Sequence, residues 1–78
     1  VVHLDIAWPE ALLDLEPGLS AFHTFEAVRR DYSRDNELSR LGWQVMRFDE
    51  VQQRAPRWCA MQVAEVYRTR RALLRLAG

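Results

Sequence analysis

The segment from Leu4 to His23, LDIAWPEALLDLEPGLSAFH, constrains the fold more than any other stretch. Two short alternating runs flank a Trp8-Pro9-Glu10 corner. Pro9 has no backbone N–H to donate to a ladder, so the corner separates two strands, over about residues 1–8 and 11–16. Side chains alternate across a strand. His3, Asp5, Asp14 and Glu16 therefore share one side, and Val2, Leu4, Ile6, Leu13 and Leu15 the other. Three carboxylates on one small face, with no Lys or Arg before Arg29, repel one another. A divalent cation would remove that repulsion, and oxygen ligands suit Mg²⁺. Water would also relieve it, since antiparallel sheets often leave one side solvated. The alternation alone favours the solvated face.

Pro17-Gly18 stops the second strand, and Leu19 to Phe22 reads as a loop. A helix is expected over about 25–41, with Thr24 as N-cap and Gly42 just past its end. Phe25, Val28, Tyr32, Leu38 and Leu41 give it a broken apolar stripe, while Glu26 with Arg30 and Asp31 with Arg34 are spaced for surface pairs. Residues 43–48, WQVMRF, carry apolar side chains on both faces, as an interior strand does. Strand, helix and strand then make a right-handed β-α-β crossover with parallel strands. A final helix begins near Pro56, a favoured first-turn residue, and reaches about Leu76. Its apolar arc holds Cys59, Val63, Val66, Tyr67, Leu73, Leu74 and Ala77, opposite Arg57, Arg68, Arg71 and Arg75. Trp8 and Trp43 read as core. The expected class is mixed α/β, in the order β-β-α-β-α.

Seventy-eight residues allow one domain with a modest core. With 49% hydrophobic and 28% charged residues, the composition is that of a globular chain rather than a disordered one. No apolar run approaches membrane-spanning length, and no signal-peptide pattern is present. The single Cys59 has no internal disulfide partner and reads as a buried thiol, which fits a reducing, cytoplasmic setting. The chain begins without Met, in the middle of a strand, so it is expected to be a fragment of a longer one. Charge is uneven although the net is zero. Residues 1–22 hold Asp5, Glu10, Asp14 and Glu16 and no base (−4). Residues 23–50 hold five Arg against six acids (−1), and residues 51–78 hold six Arg against Glu65 (+5). Every basic residue is Arg, which excludes lysine chemistry.

Taken together, several blocks resemble the bacterial proteins related to the very-short-patch-repair (Vsr) endonuclease, within the PD-(D/E)XK nuclease superfamily. That family reads roughly V-D-x-A-W-P-E, then a strand ending E-x-D-G with a His four residues past the Gly, then R-D-x-x-R-D-N on a helix, then L-G-W-x-V-x-R-F. This chain has LDIAWPE at 4–10, Glu16, His23, Arg30-Asp31-Tyr32-Ser33-Arg34-Asp35-Asn36 and LGWQVMRF at 41–48, in a gapless register. The resemblance implies a truncated restriction-endonuclease-like core that hydrolyses DNA phosphodiesters. It implies Asp5 and Glu16 as Mg²⁺ ligands and His23 as the acid/base or phosphate-contacting group. Arg30 or Arg34 would face a phosphate. The basic arc with Arg71 and Arg75 reads as a solvated helix face, or as a weak non-specific DNA contact.

Two positions depart from the family pattern. Gly18 stands where the family has Asp, and Leu19 where it has Gly. The helix and strand that open family members also have no counterpart. The alternative reading is therefore a catalytically silent relative that binds DNA or docks on protein. Asp14 reads as solvated. Three strands and two helices leave a sheet edge or face uncovered, so the rest of the parent chain or a second copy is the expected cover.

Overall fold

A computed structural model describes residues 6–17 and 24–77, which form a mixed α/β arrangement of three strands and two helices. Strand β1 (Ile6–Trp8) runs antiparallel to β2 (Leu13–Pro17), pairing Ile6 with Leu15, Ala7 with Asp14 and Trp8 with Leu13. Helix α1 (Phe25–Arg40) leads to β3 (Gln44–Phe48), which lies parallel to β2. The sheet order is β1-β2-β3, so β2 is central. Helix α2 (Pro56–Ala77) ends the described chain. The β-β-α-β-α order is the one expected. Among the described residues, no helix is long and apolar enough to cross a membrane.

Local chemistry explains where the elements stop. Pro9–Ala11 closes one 3-10 turn, and Leu12 takes a left-handed conformation (φ 46°) to bring the chain back as β2. Thr24 caps α1 as expected, its Oγ1 accepting from the Ala27 N–H at 3.1 Å. At the other end Gly42 has φ 89°. Its N–H donates to the Ser39 carbonyl (3.0 Å) and the Trp43 N–H to that of Leu38 (2.9 Å), a Schellman stop. A Cβ on Gly42 would meet only Leu12 Cδ1, at 3.8 Å. The penalty of Gly42→Ala is thus conformational, about 1–2 kcal/mol. It should appear as a lower urea midpoint at unchanged slope. An unchanged midpoint would mean that Gly42 does not set the helix stop.

The two sheet faces differ in kind. Leu13, Leu15 and Phe48 face α2, and Leu13 is fully buried, with Ala11 and Phe48 beside it in a small core. Phe48 meets Trp58 edge-on at 5.8 Å between ring centroids. Helix α2 is fastened near both ends. The Cys59 thiol donates to the Gln52 carbonyl at 3.2 Å. Farther along, Arg70 donates to the Ala11 (3.1 Å) and Gly42 (2.6 Å) carbonyls, and Arg71 to that of Glu10 (3.0 Å). Between those fastenings an open apolar cavity of about 770 Å³ separates helix from sheet, lined among others by Trp8, Leu15, Phe48, Cys59, Val63 and Tyr67. Cys59 is half-buried at its rim rather than enclosed. Leu73, expected in the buried arc, is half exposed.

Candidate functional site

The opposite face of the sheet meets α1, and it is charged. Asp14 and Glu16 lie two residues apart on β2 and are both buried, at 4% exposure. Buried carboxylates on a central strand are uncommon, because each must replace lost hydration with hydrogen bonds or counter-charge. Glu16 is matched in register with Arg47 of β3, and Asp14 with Val45. Parallel partners point the same way, so Glu16 and Arg47 are neighbours on this face.

Helix α1 supplies complementary charges from above. Arg34 Nη2 lies 3.2 Å from Glu16 Oε1, with the Glu16 side chain 3% and the Arg34 side chain 51% exposed. Asp35 takes a two-pronged contact from Arg47, Nη2 to Oδ1 at 2.8 Å and Nε to Oδ2 at 3.2 Å. That hydrogen bond holds the Arg47 guanidinium above its ordinary pKa. Burial opposes the shift, and the charges of Asp35, Asp31 and Glu16 reinforce it. The face therefore alternates in sign, with Arg34 on Glu16 beside Arg47 on Asp35.

Two of the α1 charges expected at the helix surface turn toward the sheet. Arg34 reaches across to Glu16 and Asp35 points at β3, while Phe25, Tyr32 and Leu41 of the expected apolar stripe are exposed. A sheet face carrying Asp14, Glu16 and Arg47 selects the polar side of the helix above it, which leaves part of the apolar side in water. Asp14, which the sequence reading leaves solvated, is buried as well.

Of the sequence-derived site residues, Glu16 and Arg34 are the two that the described coordinates place at this face. Asp5 and His23 lie outside the described residues. Arg30 is exposed and lines a shallow depression with Glu26, Arg29 and Ser33, and Arg75 is exposed near the end of α2. Arg71 is partly committed to the Glu10 carbonyl, away from the fully solvated role read from the sequence. Comparison of the chain with protein-family models, with curated proteins and with solved structures gave no match.

Among the described residues, no three His, Cys, Asp or Glu side chains form a metal-holding group. Carboxylate oxygens are nonetheless the donors that a hard divalent cation prefers, and Asp14 and Glu16 offer them from a nearly dry position. A positive charge already stands at Glu16 in the form of Arg34. The donor type thus suits a hard cation, while the charge at Glu16 is matched by Arg34 and the described residues do not by themselves make up a metal site. Sequence reasoning missed Arg47 and Arg70. The helical phase of α1 could have exposed the first, whereas nothing in a single sequence marks Arg70 as the residue that spans Ala11 and Gly42.

Proposed function

We propose that this chain is an endonuclease-like domain of the Vsr-related, PD-(D/E)XK type, acting on DNA phosphodiesters with Mg²⁺ held by Asp5 and Glu16. The observation that supports it is the pair of buried acids on the central strand. A face selected for stability alone would be apolar there, since a desolvated ion pair gains little over packed hydrocarbon. The reading requires Asp5 to sit across from Glu16, one step beyond the Ile6–Leu15 pair of the β1–β2 ladder. A bound Mg²⁺ would polarise the phosphate and acidify an attacking water. Glu16 would orient that centre from its fixed strand position. His23 would move the proton or contact the phosphate. Arg30, Arg34, Arg71 and Arg75 would contribute to the phosphate contacts.

One observation favours a second reading, a silent module that binds DNA or docks on protein: the Arg34 guanidinium already neutralises Glu16. Gly18 and Leu19, in place of the family's Asp-Gly, point the same way. Incubation with supercoiled plasmid, in Mg²⁺ and in EDTA, separates the two. Mg²⁺-dependent nicking supports the enzyme. Duplex binding without nicking supports the silent module, with a slope of log K against log salt of roughly −3 to −4 for about four arginine contacts. If neither occurs, both DNA readings fall. A second copy or a further part of the parent chain would cover the exposed Met61, Leu73 and Leu76 of α2. A monomer by light scattering would exclude the second copy.

A further inference from the structure

Helix α2 has a second face, away from the sheet, with large apolar side chains in water. Val63 and Tyr67 turn toward the sheet, and Arg70 reaches the Ala11 and Gly42 carbonyls. On the far side, alternating steps of four and three residues put Trp58, Gln62, Glu65, Thr69, Ala72 and Leu76 in one line. That is the spacing of a helix-pairing seam. Its end residues are exposed, Trp58 at 43% and Leu76 at 85%, and the exposed Met61 and Leu73 flank it. Apolar side chains aligned in this way mark an interaction surface.

The order of residues along the seam determines what fits it. About a centre at Tyr67, Trp58 is the counterpart of Leu76, Gln62 of Ala72 and Glu65 of Thr69. Turned end for end, a second copy therefore sets apolar ends on apolar ends and a polar middle on a polar middle, as a twofold axis requires. Charge selects the same arrangement. Glu65 is the single acid of residues 51–78, and Arg68 lies about one turn along. An antiparallel pair brings each Glu65 beside the partner's Arg68, with two opposite-charge contacts at the centre. A parallel pair would bring Glu65 onto Glu65, and like charges repel. We infer that α2 is a self-association helix: two copies of this chain pair antiparallel along the Trp58–Leu76 seam, with Glu65 of each against Arg68 of the other. The polar middle weakens the pair and fixes its register, as a polar seam position does in a coiled coil. This inference stands apart from the nuclease reading, because the charged face lies across the sheet from α2.

Sedimentation equilibrium tests the pairing directly. The chain should approach twice its 9.2 kDa mass as concentration rises. A monomer at every concentration up to about 1 mM overturns the inference. Glu65→Arg and Arg68→Glu should each weaken the dimer by about tenfold, since two exposed ion pairs are lost and like charges brought together. Both side chains are exposed, so thermal melts should confirm that each variant folds. The chain carrying both substitutions regains the opposite-charge contacts and should dimerise within about threefold of wild type. A dimer indifferent to the single substitutions, or not rescued by the double one, sits on another surface and overturns the inference. Cross-linking then reads the direction of the pair in a Cys59→Ala background. A mixture of Gln62→Cys and Ala72→Cys chains should form the mixed disulfide, and neither chain alone should cross-link. Disulfides within each single-variant sample would show a parallel pair and contradict the inference.

Discussion

Glu16→Gln is expected to lower Mg²⁺-dependent nicking by at least about 100-fold, the usual scale for deleting one preorganised charged group from a reacting centre. The substitution keeps the shape, removes the charge and replaces one acceptor oxygen with an NH₂ donor. Its stability effect should be much smaller than its kinetic one, because the partner Arg34 is half exposed and can return to water. The comparison of rate with melting temperature is therefore diagnostic. Were Glu16 only a structural counter-ion, Glu16→Gln would lower the melting temperature and leave any nicking rate unchanged.

Leu13→Ala should cost about 2–5 kcal/mol, read by urea unfolding. Leu13 is fully buried where β2 meets the Pro9–Ala11 corner, α2 and β3, and few side chains share that burden. A chain of this length has a total stability of roughly 4–12 kcal/mol, so the substitution threatens folding itself. Leu73→Ala, on a half-exposed position of α2, provides the contrast and should stay within about 0.5 kcal/mol. Equal losses at the two sites would show that the small core is not where stability resides.

Element order, the Thr24 cap, the Gly42 stop and the start of α2 at Pro56 were all legible, because each depends on a local rule about a particular residue. The parallel pairing of β2 with β3 followed from having a helix between two strands. Orientation of α1 was harder. Its exposed Phe25, Tyr32 and Leu41 dominate the hydrophobic pattern, yet the half-buried line runs Val28, Asp31, Asp35, Leu38. Those positions share one helical face, so the phase of Val28 and Leu38 already turned the two aspartates inward. What hid this was the assumption that acids seek water, which fails when the facing strand carries Arg47. The alternation in β2 put Asp14 and Glu16 on one side correctly. It could not say that α1 would cover them, because a strand's pattern reports its two faces and not what packs on each. Asp5 and His23, the other two residues of the expected site, lie outside the described residues, so the site is legible in full only from the sequence.

Direct measurement of Mg²⁺ binding to the wild-type chain and to Asp5→Ala bears most closely on the central claim, that Asp5 and Glu16 together hold one hard cation. Calorimetry should show one ion bound per wild-type chain and none per Asp5→Ala chain, at equal melting temperatures. Identical heats from the two proteins, or no binding by the wild type, would contradict the claim and leave a three-stranded α/β module whose buried acids serve only to seat α1 on the sheet.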